Sequence, residues 1–196
     1  MLNFYREHSR VINKLIINHF GAAFFGLALS LSTARISQTL YLITSIFSVC
    51  FLLFLDYTVV WEDGAKSRIR VDAGRETYRP IVGLWLGVWA ELPAIVLCLL
   101  DSIVYFLSSA DGPVRLELKH FLWTIPTWAA RLWQAMFLGI IEAVAPKSHY
   151  LLLLTPLVVI LGIFGGYVLG LHQRRIFGAF TLRTPKDKNG GSPDNK

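Results

Sequence analysis

Charged residues are missing from long stretches of this chain. Residues 148–173 contain no Asp, Glu, Lys or Arg over twenty-six positions, and 15–34 and 36–55 are free of them for twenty positions each. A helix rises about 1.5 Å per residue, so about 20 apolar residues cross about 30 Å of hydrocarbon. Soluble domains seldom carry one such run, and three exclude an ordinary water-soluble core. Charged residues make up 16% of the chain against 54% hydrophobic residues, with a mean hydropathy of +0.51, which separates it further from the globular average.

Cysteine is nearly absent. Cys50 and Cys98 both fall inside apolar segments, so neither a disulfide framework nor a zinc cluster is expected. The chain also lacks a phosphate-binding glycine loop, a Ser or Cys nucleophile motif and an HExxH pair. His8, His19, His120, His149 and His172 are scattered. No cofactor and no metal site is therefore expected, and the balance leans away from an enzyme, although catalytic groups drawn from separate helices escape a motif search. A cleavable leader is not evident, and the first apolar run is read as an uncleaved helix.

The apolar runs and their punctuation predict an all-α, polytopic membrane bundle over 1–183, followed by a disordered basic tail at 184–196 rich in Pro, Gly, Asn, Asp and Lys. Spans are expected at about 15–34, 37–61, 80–107 and 150–172. Pro80 suits a first helical turn, while Pro93 and Pro156 predict kinks inside helices. Trp61, Trp85 and Tyr150 sit near the proposed ends, as interfacial aromatics do.

Residues 119–144 form an amphipathic segment. His120, Thr124, Thr127, Arg131 and Gln134 draw a polar stripe at helical spacing. Loop charge bears on whether it crosses. With four spans and both termini cytoplasmic, fourteen of the nineteen Lys and Arg residues lie on the cytoplasmic side, whereas a fifth span leaves nine on each side with Arg131 between them. The positive-inside rule favours four full spans, with 119–144 interfacial or re-entrant and broken near Pro126; five spans are the alternative.

Three features carry chemical interest. On the third predicted helix Gly83, Gly87 and Glu91 fall at i, i+4 and i+8, and the same small, polar face continues through Ala94, Cys98 and Asp101. Glu91 lies about 16 Å from Pro80 along the helix, near mid-span. A carboxylate there costs about 2.5–3.5 kcal/mol to insert, so it is expected to be protonated, paired or wet: a proton or cation site, or an interhelical hydrogen bond that fixes packing. His19 and Asp56 reach a common depth on antiparallel neighbours, as a proton-holding pair or a structural ion pair. Arg131 completes the set of polar-path candidates.

The third feature is a set of small-residue seams. Gly162, Gly166 and Gly170 form a GxxxGxxxG run, and Ala22, Gly26 and Ser30 repeat the spacing in the first helix. Helices already in lipid associate through close backbone contact, either within the chain or with another subunit. The size of the chain and the seam in its first helix resemble, in outline, the substrate-binding membrane subunits of energy-coupling-factor importers. The helix count of four to five differs, and no function is carried over.

Residues 62–79 are expected to form a loop, with a turn at Asp63-Gly64 and a short extended segment or hairpin around Ser67–Val71. Arg68, Arg70, Arg174 and Arg175 are candidates for contact with anionic lipid headgroups or a partner. Nucleic acid is not an expected partner, because the bases flank apolar segments instead of forming a separate patch. The expected role is a non-catalytic membrane subunit of a transport or export assembly in the plasma or inner membrane. The alternative is a self-contained proton- or cation-coupled carrier or channel using Glu91, and the third reading an intramembrane or lipid-modifying enzyme.

Overall fold

The computed structural model describes residues 2–108, 116–145 and 150–174, and all regular structure among them is helical. In chain order the helices are α1 (Leu2–Thr33), α2 (Gln38–Asp72), α3 (Ile81–Ala90), α4 (Leu92–Ser108), α5 (Leu116–Trp133), a 3-10 turn (Ala135–Phe137), α6 (Leu138–Val144) and α7 (Tyr150–Leu171). The tail at 184–196, Arg175, and the side chains of His120 and Thr124 lie outside the described residues.

Three helices, α1, α2 and α7, are long and apolar enough to cross a membrane, and the bent pair α3–α4 makes four if it counts as one span. The 119–144 segment contributes no unbroken helix of that kind. The outside of the bundle is apolar, with Phe24 70%, Leu31 73%, Ile43 56%, Phe106 78% and Leu161 55% exposed.

The interior is built on the buried faces of α1, α2 and α7. On α1, Ile12, Leu15, His19, Ala22, Gly26, Ser30 and Thr33 are buried; on α2, Tyr41, Ser45, Ser48, Leu52, Asp56, Val60, Gly64 and Ser67. Spacings of three and four keep each set on one stripe of a helix. α2 makes its most extensive packing with α7 and also holds α1 and α6, while α3 lies on α7 and α4 on α5.

Glycine permits the closest of these approaches. Gly170 meets the backbone of Trp61, Gly64 and Ala65, Gly166 meets Val60 and Tyr57, and Gly162 meets Leu53. Gly26 lies against the backbone of Met136, Gly83 against the Tyr167 ring and Gly87 against Ile160. The small-residue seams are thus used inside the chain. Ser30 adds a hydrogen bond to the Ala135 carbonyl at 3.4 Å.

Four expectations about elements are corrected. No turn or hairpin follows Asp63-Gly64: α2 continues to Asp72 because Gly64 is clasped between α2 and the α7 backbone at Tyr167 and Gly170. The stop lies ten residues later at Gly74, whose φ of +69° closes the helix, with the Arg75 amide donating to the Arg70 carbonyl at 2.9 Å. α1 likewise begins at Leu2, well before Leu15. At 1.5 Å per residue α1 and α2 are about 48 and 52 Å long, each longer by several turns than a hydrocarbon layer is thick.

The third predicted helix is two helices that meet at Glu91 with a bend of 56°. Pro93 explains the position: it lacks an N–H for the Trp89 carbonyl, which costs nothing once Pro93 falls in the first turn of a new helix. In 119–144 the break comes at Gln134–Phe137, whereas Pro126 sits inside α5. Pro156 sits inside α7, where the Leu152 carbonyl it frees accepts bonds from Thr155 Oγ1 at 2.8 Å and Cys98 Sγ at 3.5 Å.

Gly170→Ala places a methyl against the α2 backbone and is expected to destabilise the fold by about 1–3 kcal/mol. Gly165→Ala meets nothing within 4 Å and is expected to be neutral or stabilising by about 0.5–1 kcal/mol. Thermal unfolding of the detergent-purified variants checks the contrast.

Candidate functional site

Glu91 occupies the corner between α3 and α4. Its φ/ψ of −89°/2° ends one helix while its backbone N–H still bonds the Gly87 carbonyl at 2.9 Å. The next helix starts from the same residue, whose carbonyl accepts the Ile95 N–H at 2.9 Å. The bend turns the Glu91 side chain into the bundle, where it is 1% exposed.

There it meets His19. The His19 Nδ1 to Glu91 Oε1 distance is 2.7 Å, and His19 is also 1% exposed. His19 Nε2 faces the Trp133 carbonyl at 3.3 Å, and the two rings stack with centroids 5.3 Å apart. That carbonyl accepts but cannot donate, so it selects the tautomer or ion with a proton on Nε2. With Nε2 protonated, Nδ1 either accepts from a protonated Glu91 carboxyl or, in the imidazolium, donates to the carboxylate. Either arrangement fits the same 2.7 Å contact without either side chain changing place.

Around this pair lie two further buried polar contacts. Asn18 Nδ2 donates to Asp56 Oδ1 at 3.1 Å. Thr127 Oγ1 donates to Asp101 at 2.6 Å, joining α5 to α4. Gln134, 0% exposed, has the Cys98 thiol beside it but no partner within hydrogen-bond geometry among the described residues, and Glu91 Oε2 and Trp133 Nε1 lack one there too. Buried polar atoms without partners are rare in folded proteins, and apart from Asp63 Oδ2 near His8 those found here belong to Glu91, Trp133 and Gln134.

The expected polar residues fall into place unevenly. Glu91, Cys98 and Asp101 lie buried on the face read from spacing, with Ala94 between them fully buried. His19 is also buried, but it faces Glu91; Asp56 faces Asn18. That corrects the expected His19–Asp56 pair, because the rotation of α1 turns the adjacent residues 18 and 19 toward different helices. Arg131 is exposed and stands apart from this cluster. Arg68 pairs with Asp72 at 3.0 Å and Arg70 with Glu76 at 2.6 Å, on a helix and the turn after it. The Arg174 carbonyl accepts the Trp61 indole N–H at 2.9 Å.

Asn18 and Trp133 were not among the candidates. The first is adjacent to His19, and the second acts through its backbone carbonyl, which no side-chain pattern reveals. Among the described residues no group of three or more His, Cys, Asp or Glu is arranged to hold a metal ion. No family model, curated protein or solved structure matches this chain.

Breaking the buried pair is expected to be costly. His19→Ala or Glu91→Leu leaves a buried partner unpaired and should lower stability by about 3–5 kcal/mol. Combining the two changes should cost clearly less than the sum of the single effects. Chemical or thermal denaturation of the three variants in detergent measures the coupling.

Proposed function

We propose that this chain is an integral membrane protein whose working part is a proton-exchanging His19–Glu91 pair at the broken α3–α4 helix, in the manner of a small proton-coupled transporter. The 2.7 Å contact between two fully buried titratable groups is the observation that carries the reading. Ionisable residues in the hydrocarbon region are expensive and are found where protons or ions move. Discontinuous helices place such groups at mid-depth in carriers.

The apolar outer surface supports membrane insertion, since patches of this extent are not found on water-soluble monomers. Charge supports an orientation with the N-terminus and the overhanging ends of α1 and α2 in the cytoplasm. Four crossings follow when α3–α4 counts as one. The cluster then spans the middle of the bilayer: Asp56 and Asn18 on one side of the pair, Gln134 and the Asp101–Thr127 bond on the other.

A second reading, a membrane subunit of a transport or export assembly, draws on the aromatic face of α1 and α2. Phe25, Phe47 and Phe51 form a cluster with centroids 5.5–6.5 Å apart on the outside. Since the glycine seams are occupied internally, this face is what remains for a helix of another protein. Purification in mild detergent followed by mass spectrometry of what accompanies the chain separates the two readings: a stoichiometric partner favours the subunit, a single species the carrier.

The substitution Glu91→Gln keeps the shape of the side chain and removes its titration. Proteoliposomes on a solid-supported membrane, challenged with panels of small organic cations, organic anions and metal ions, should show proton-coupled currents for the wild type. Glu91→Gln should abolish them by about tenfold or more while unfolding at a temperature close to the wild-type one. Currents that persist in folded Glu91→Gln would exclude the coupling role.

A further inference from the structure

Beyond the buried pair, the overhanging end of the bundle contains a concavity of about 440 Å³ between the start of α1, the end of α2, the turn after it and the end of α7. Its floor includes the buried Tyr167, whose hydroxyl donates to Ser67 Oγ at 3.2 Å. Arg70, Arg75 and Arg79 stand on its walls, together with Glu7, His8 and Glu76.

Ion pairing divides these charges. Arg70 and Glu76 neutralise each other at 2.6 Å. Arg75 and Arg79 enter no ion pair among the described residues and are exposed. Against them stands Glu7, while His8 lies 4.0 Å from Asp63, so the pocket carries a surplus of one positive charge. A phosphodiester carries about one negative charge and a phosphomonoester about 1.5–2 at neutral pH.

The local backbone sets the two arginines at the rim. The left-handed Gly74 reverses the chain, the Arg75 N–H returns to the Arg70 carbonyl at 2.9 Å, and the Arg70–Glu76 pair pins the turn. Two planar guanidinium forks on one short segment match the oxygens of a phosphate better than point charges do. We infer that this pocket binds a phosphate ester through Arg75 and Arg79. The source is a lipid headgroup or a soluble phosphorylated molecule; the headgroup alternative rests on the membrane reading, which places the overhang at the level of the lipid phosphates.

Native mass spectrometry of the detergent-purified protein tests the site, with phosphatidic acid, phosphatidylglycerol, phosphatidylcholine and glycerol phosphate as probes. Phosphate-ester adducts are expected on the wild type, about tenfold fewer on the double variant R75Q/R79Q, and partly recovered on R75K/R79K. Arg35→Gln, at the opposite end of the bundle, should leave them unchanged. Adducts with glycerol phosphate alone, or their displacement of lipid, identify a soluble ligand; lipid adducts that glycerol phosphate does not displace identify a headgroup. Equal adducts on the wild type and R75Q/R79Q, an equal loss with Arg35→Gln, or no adduct with any probe overturns the inference. Because Glu91→Gln leaves this pocket untouched, its adducts should match the wild type, which keeps the outcome separate from the fate of the proton-exchange reading.

Discussion

The hydrogen bond between His19 and Glu91 ties together the parts of the bundle that chain continuity leaves separate. It joins α1 to the corner of α3 and α4, and through the Trp133 carbonyl it reaches the end of α5. A carboxyl group and an imidazole removed from water each need a hydrogen-bond partner, and at 2.7 Å they supply one to each other. The bend at Pro93 and the pair therefore depend on one another. The bend delivers the carboxyl into the interior, and the histidine makes that position tolerable.

Close backbone approach does for the other half of the bundle what the polar pair does for this one. Gly64 on α2 and Gly170 on α7 let two helices touch along their main chains, and the same contact keeps α2 helical through a sequence that looks like a turn. The continuation has a structural consequence. It carries α2 several turns past its apolar portion and delivers Arg70, Arg75 and Arg79 to the rim of a pocket at the end of α7. A structural glycine thereby helps to position Arg75 and Arg79, eleven and fifteen residues further along the chain.

The face of α3 and α4 was the most legible part of the candidate site. Gly83, Gly87, Glu91, Cys98 and Asp101 lie at helical spacing among large apolar residues, and all are buried as the period requires. Of the stripe expected on 119–144, Thr127 and Gln134 are buried while Arg131 is exposed. Partner choice was not. His19 and Asp56 share a depth, yet a rotation of α1 by one residue decides which of Asn18 and His19 faces Asp56, and depth alone carries no information about rotation. Gly74, the true end of α2, is a plain C-cap signal that the Asp63-Gly64 pair outcompeted in a reading confined to local turn chemistry.

The sequence by itself determined that the chain is helical, where its apolar helices lie and which faces of them are small or polar, because helix period and hydrophobic length are local, one-dimensional properties. Only the tertiary structure decided that the glycine seams close on the chain itself, that α2 runs through its turn signal, and that His19 meets Glu91. Those outcomes depend on helix rotation and on contact between residues as far as 114 positions apart. They follow from mutual fit of surfaces and from the cost of leaving a buried polar atom unpaired, neither of which any single segment contains.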